Sequence, residues 1–291
     1  MRNIMKFFDL HCDTSTVMYA KKNDFSDTSM HISEKGLENY EKAYQTCAVF
    51  IADGQGGSGF EYFCNVMDYF LPVAAKVKNL VPIVACEGGR CIDGNVDNIN
   101  KLKEKYGLRV FGLVHNGENE LACGGATDNG RGLTETGKEA VIRCEELGIT
   151  PDVSHLSDAG FDDLVKICKK PFIATHSNCR SIYGHLRNLT DDQLKEIFGR
   201  KGIVGLNLFP DIICEDPHIT DLLKHAEKML ELGGEDCIAM GGDLDGIVSV
   251  PRDFKDVSSY TNIRKMFAEA FSEEIAEKIM FKNAARFFGA E

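Results

Sequence analysis

Eight apolar runs punctuate the chain, near 6–13, 46–52, 81–88, 110–116, 150–155, 171–177, 202–208 and 237–243. Each has the length of a strand buried on both faces, and most are separated by a stretch with helical periodicity. In 60–79 apolar residues recur three and four apart, and Pro72 is expected to kink or divide that helix. In 132–148 a glycine closes the pattern where a helix C-cap belongs. Thr190 and Gln193 have capping-box spacing just ahead of Leu194 and Ile197. The stretch 218–234 is amphipathic and ends in Gly-Gly.

Strands alternating with helices over 291 residues predict a closed (β/α)8 TIM barrel, an α/β fold in one domain spanning 1–291. An open doubly wound sheet is the runner-up. It calls for a Gly-rich phosphate loop after the first strand, whereas that strand ends in His11-Cys12-Asp13. No internal repeat and no Pro- or Ser-rich linker divides the chain. The Gly-rich stretch Asp53–Gly59 reads equally well as a mobile loop at an active-site rim and as a plain connector.

The ends of the apolar runs carry the chemistry. His11 and Asp13, Glu87, His115, His155, His176 and Asp243 each close one of them. In a barrel all strand C-termini open on one face, so these side chains would converge there. A shared site explains so many polar endings better than chance. His11 and Asp13 are two apart on a strand, so both face one side and can hold one divalent ion. A carboxylate such as Glu87 can bridge two ions, although a salt bridge is its bland alternative. His155 and His176 end successive strands and can hold an ion through neutral imidazole nitrogens; either alone would read as a core histidine. Asp243, or Asp245 on periodicity alone, could deprotonate a water and then protonate a leaving amine. His115 could act as an oxyanion donor. Arg187 could grip a carboxylate, or simply lie on the surface near a helix start.

Composition narrows the partners. Hydrophobic residues make up 43% and charged residues 27%, an ordinary globular balance. A net charge of −12 disfavours nucleic acid and anionic membrane surfaces. No apolar run approaches the roughly 20 residues of a membrane span. The start MRNIMKFFDL runs directly into the first strand, so no signal peptide is expected. The 11 cysteines include no Cys-x-x-Cys pair, and most sit in apolar surroundings. They read as reduced thiols filling core space in a cytoplasmic protein, with Cys12 turned into the barrel–helix layer.

Several motifs together resemble the renal or membrane dipeptidases, binuclear zinc hydrolases within the amidohydrolase-like barrels. They are HCD at 11–13, CEGG at 86–89, GLTETGKEAVIRCEELGITPDVSHLSD at 132–158, PFIATHSNCRSIYGHLRNLTDDQL at 171–194, GIVGLNLF at 202–209 and GGDLDG at 241–246. The resemblance implies two divalent ions, zinc by preference. His11 and Asp13 would hold one, His155 and His176 the other, with Glu87 between them. A water or hydroxide between the ions would attack the peptide carbonyl of a short unblocked dipeptide, L-L or L-D. His115 would stabilise the oxyanion and Arg187 would hold the free carboxylate. Asp243, rather than Asp245, would shuttle the proton. A homodimer is also implied. The chain departs from the family in two places. It has no Trp, which mammalian members carry near the first triplet and after the oxyanion histidine. Phe209 stands where some members place a substrate-facing Tyr, so a hydroxyl contact is lost there.

Two other readings compete. A barrel hydrolase of another amide or lactone would want His-x-His on the first strand and often a bridging lysine on the fourth. A non-catalytic metal- or peptide-binding homologue would be free to lose ligands that this chain keeps.

Overall fold

The computed structural model describes residues 5–127 and 130–290. Eight parallel strands close into a barrel in sequence order. They are β1 (Met5–Cys12), β2 (Tyr40–Phe50), β3 (Leu80–Glu87), β4 (Val110–Gly112), β5 (Thr150–Asp152), β6 (Ile173–Ala174), β7 (Ile203–Leu206) and β8 (Ile238–Met240). β8 pairs with β1 through Met240 and Asp9, which closes the ring. The expected barrel is therefore present, and the open sheet is not.

Alternation along the strands sorts the core into two layers. Phe8 and Leu10 of β1 pack in the lumen with Ala48, Ala85, Val110, Ile173, Ile203 and Ala239. The C-terminal helix Asn283–Phe288 plugs the bottom with Ala284, Ala285 and Phe288. Phe7, Cys47, Val49, Cys86 and Phe111 face outward into the larger layer between barrel and helices. All 11 cysteines are free thiols, and Cys12 lies in this outer layer as expected. No described helix is long and apolar enough to cross a membrane.

Strict alternation would have turned His11 outward, because Phe8 and Leu10 point in. A β-bulge prevents this. Asp9 pairs with Gln45 and Cys12 with Cys47, so three steps on β1 span two on β2. The extra residue flips the phase and brings His11 and Asp13 to the inner face. The buried carboxylate of Asp9 holds the bulge. Its Oδ1 accepts from His11 N at 2.8 Å and Gln45 Nε2 at 3.1 Å, and its Oδ2 accepts from Gly242 N at 3.0 Å and from the Tyr260 hydroxyl.

Several predicted boundaries shift, each for a visible reason. β2 begins six residues before the expected 46, because YEKAYQ pairs with β1 and β3 without being apolar. β4 to β8 end earlier than predicted, since the chain leaves the ladder and side chains take over as acceptors. Asp152 Oδ1 accepts from Ser154 N and Thr175 N, and Asn178 Oδ1 from Asn207 N. The helix Gly59–Ala74 contains Pro72 in its last turn and stops two residues later, short of 79. The helix Glu135–Glu146 starts after its cap Thr134 rather than at 132. The predicted capping box is present, with Thr190 accepting from Gln193 N and Gln193 from Thr190 N. The stretch 218–234 contains the helix Leu222–Glu231, preceded by a short 3-10 turn.

Asp9→Ala leaves three buried donors without an acceptor and Gln45 Nε2 with only its longer contact to Thr46 O at 3.5 Å. Since each such group costs about 1–3 kcal/mol, a loss of at least about 3 kcal/mol is expected in urea denaturation. A loss below about 1 kcal/mol would show that something else holds the bulge.

Candidate metal centre

The run-end residues do converge at the C-terminal mouth of the barrel, most of them just beyond the strands. His11 lies in β1, Asp13 follows it, and Glu87 is the last residue of β3. His115, His155, His176 and Asp243 sit two or three residues past β4, β5, β6 and β8. His155 and Asp243 reach inward from left-handed backbone, at φ 69° and 58°. For non-glycine residues that conformation is strained and is kept only where the surroundings impose it. At Gly246 no side chain would fit, because a Cβ would collide with Asp13 Oδ2 and Asp243 Oδ1.

Three overlapping triplets bring donor atoms within 4.8 Å of one another: His11–Asp13–Glu87, Glu87–His155–His176 and His11–His176–Asp243. Glu87 faces both sides. Its Oε2 lies 3.5 Å from His11 Nε2, which is 3.6 Å from Asp13 Oδ2. Its Oε1 lies 2.8 Å from His155 Nε2 and 3.5 Å from His176 Nε2. Two ligand atoms each about 2.0–2.1 Å from one ion at a tetrahedral angle stand roughly 3.3 Å apart. These separations bracket that edge. His11 Nε2 and Asp13 Oδ1 are buried and have no hydrogen-bond partner. Buried polar atoms without partners are costly, so the donor set fits divalent cations.

The electrostatics point the same way. Burial, then the negative charge of Glu87, pushes Asp13 up to about 7, and burial pushes Asp243 up to about 6. Burial alone would raise Glu87, but the His11 charge and hydrogen bonds from His11, His155 and His176 hold it well below the usual range. Burial drives His155 and His176 well below an ordinary imidazole, with Arg187 and His11 respectively adding to the effect. Carboxylates crowded beside the neutral imidazoles of His155 and His176, in a site largely out of water, favour a bound cation.

Residues that the sequence reading did not single out orient these side chains. His155 Nδ1 is 2.9 Å from Asn116 Oδ1. His176 Nδ1 and His11 Nδ1 are 2.8 Å and 3.3 Å from the same Thr175 hydroxyl, which donates to Asp152 at 2.5 Å. Asn207 Nδ2 donates to Asp243 Oδ2 at 3.3 Å. Their only sequence signal was position, in the last few residues of an apolar run. Asp245 is engaged elsewhere, accepting from His31 N at 2.6 Å and Thr14 Oγ1 at 2.7 Å.

A cavity of about 230 Å³ opens over this centre, lined by Asp13, Glu87, His115, His155 and Asp243 together with Thr16, Val17 and Phe50. Larger clefts of about 510 and 590 Å³ lie on the outer surface and contain none of these residues. His115 packs edge-on against Phe50 at 4.7 Å, and burial lowers its affinity for protons. Arg187 is half-buried beside the centre, donating to His176 O at 3.4 Å, and no described carboxylate lies within ion-pair distance of it. Phe209 begins a 3-10 turn, with its N–H donating to Asn207 Oδ1 at 2.6 Å. Neither Arg187 nor Phe209 lines the cavity itself. The Asp53–Gly59 loop is tied down: Arg90 donates to the carbonyls of Asp53, Gln55 and Gly57. Asp53 in turn accepts from His115 N at 3.4 Å and Gly117 N at 2.7 Å.

Comparison with known proteins fits this centre. A family model described as membrane dipeptidase (peptidase family M19) matches residues 66–291. A Klebsiella pneumoniae protein described as lying in the pqqA 5' region is 29% identical over 222 residues, which cover 72% of this chain and 81% of that protein. The dipeptidase tcpJ of Claviceps purpurea is 28% identical over 200 residues, covering 66% of this chain; the match spans only 47% of that longer protein. A metallopeptidase from Rhodobacter sphaeroides, solved with a phosphinate mimic of the dipeptide L-Ala-D-Ala, superposes with a TM-score of 0.83 at 23% identity over 99% of both chains.

A tightly held cation stabilises the fold by mass action, by about 4 kcal/mol at a thousandfold excess over its dissociation constant. Dialysis against EDTA is therefore expected to lower the melting temperature by on the order of 10 °C, and returned zinc to restore it in scanning calorimetry. An unchanged transition would argue against a resident metal.

Proposed function

The chain belongs to the membrane dipeptidase family, peptidase family M19, and is thereby a metallo-dipeptidase; we propose that it uses two zinc ions to split short unblocked dipeptides into two amino acids. The observation that carries the two-ion reading is Glu87, whose two oxygens each face a separate donor pair. His11 and Asp13 hold one ion in this reading, His155 and His176 the other. Ions held there supply Lewis acidity toward the scissile carbonyl and toward a water molecule.

The protein's own groups perform the remaining tasks. Arg187, a guanidinium with no described carboxylate in ion-pair distance, pairs with the free α-carboxylate of the substrate. This confines the enzyme to peptides whose C-terminus lies one residue beyond the scissile bond. His115 donates to the carbonyl oxygen as it gains negative charge. Asp243 takes a proton from the attacking water and passes it to the leaving nitrogen as the C–N bond breaks. Asn207 keeps that carboxylate aimed at the centre. Phe209, which follows Asn207 on the β7 loop, contributes an apolar substrate contact in place of a hydroxyl.

A small cavity walled by Val17 and Phe50 suits dipeptides with modest side chains. The phosphinate bound by the Rhodobacter sphaeroides protein mimics an L-D dipeptide, which supports including L-D substrates here. A dimeric, cytoplasmic enzyme completes the reading.

The test is hydrolysis of a dipeptide panel by zinc-loaded protein, detected with ninhydrin. Free L-L and L-D dipeptides are expected to be cleaved and C-terminal amides to resist. Arg187→Gln removes a charge-assisted contact worth about 1.5–3 kcal/mol, so KM for free dipeptides should rise roughly 10- to 100-fold. Asp243→Asn should lower kcat about 10²- to 10⁴-fold. No cleavage of any dipeptide by protein carrying both ions overturns the proposal.

A further inference from the structure

Thr175 lies between two histidines assigned to different ions. Its hydroxyl is 2.8 Å from His176 Nδ1 and 3.3 Å from His11 Nδ1, and it donates to Asp152 Oδ2 at 2.5 Å. The other oxygen of Asp152 accepts from Thr175 N and Ser154 N, both at 2.9 Å. Asp152, Thr175, His11 and His176 are all buried. We propose that Asp152 and Thr175 form a positioning pair that sets the tautomer of His11 and His176 together and so links the two ion sites.

The argument is one of proton counting. A hydroxyl has one proton and two acceptor lone pairs. An ionised carboxylate only accepts, so the short contact commits the threonine proton to Asp152. The lone pairs of Thr175 then face His11 and His176, and each ring must present Nδ1–H to them. Each Nε2 is thereby left bare and turned toward Glu87, the state a metal ligand requires. Ser154 Oγ also lies 3.4 Å from the hydroxyl, but that longer, uncharged contact does not compete with a carboxylate. His155 is set separately, by Asn116.

Polarity matters more than shape here. In Asp152→Asn the amide nitrogen must face either the Thr175 hydroxyl or the two backbone N–H groups. In the first case the hydroxyl proton is turned toward a histidine and sets the wrong tautomer. In the second case two donors meet a donor. The isosteric change therefore breaks the arrangement either way.

The inference rests on the two-ion reading, and zinc affinity measured by competition with a chromophoric chelator tests both. Wild type is expected to bind two zinc ions. Thr175→Val and Asp152→Asn should each weaken both by about 10- to 100-fold, while Thr175→Ser stays close to wild type. Asn116→Ala, which touches His155 and His115 but neither His11 nor His176, should weaken one ion only. Melting in EDTA separates a metal effect from lost folding, and Thr175→Ala replaces any variant that does not fold. A folded Thr175 variant that binds both ions normally, or loses only one, overturns the linkage. A wild type that takes up a single ion defeats the two-ion reading itself.

Discussion

The site depends first on one buried carboxylate and the bulge it holds. Asp9 receives donors from β1 itself, from β2, from the segment after β8 and from Tyr260 on a covering helix. It ties the point where the barrel closes to the layer outside it. Burial pushes its pKa up, and the four donors oppose that shift by favouring the charged form. Without the bulge, the alternation that buries Phe8 and Leu10 in the lumen would point His11 into the helix layer. The carboxylate that holds the bulge thus lies two residues from His11.

Around that point the mouth of the barrel concentrates groups that a folded protein normally avoids burying. Asp13 and Glu87, both buried, and the half-buried Asp243 each lie within 4.8 Å of at least one of three imidazoles. Mutual repulsion and lost hydration would disfavour the arrangement if nothing positive entered it. The left-handed backbone at His155 and Asp243 adds a further local cost. Strain and crowded charge together at one end of a well-packed barrel mark a site shaped by function, since neither contributes to stability.

The rim is more ordered than its composition suggests. Seven residues with four glycines, Asp53–Gly59, read equally as a mobile loop and as a plain connector; Arg90 holds three of its carbonyls and Asp53 braces the segment carrying His115. A single guanidinium can do this because glycine-rich backbone turns its carbonyls toward one point without side-chain interference. Val17 and Phe50 supply apolar lining to the cavity, in a chain that has no tryptophan.

The sequence by itself determined the barrel and the membership of its centre. Eight apolar runs mark the strands even where the packing moves their ends, and a barrel brings every strand end to one mouth, so His11, Asp13, Glu87, His155, His176 and Asp243 could be gathered without coordinates. Family motifs added roles that spacing alone left open, Arg187 above all. Only the tertiary structure decided which way those side chains face. The β1 bulge appears as a register shift against β2 and leaves no mark in FFDLHCD. The early ends of β4 to β8 depend on carboxylates and amides from neighbouring strands replacing ladder carbonyls. The roles of Asp152, Thr175, Asn116 and Asn207 exist only as distances between segments far apart in the chain. Hydrophobic periodicity is a local property and is written along the sequence, whereas hydrogen-bond geometry between distant segments arises only when the barrel closes.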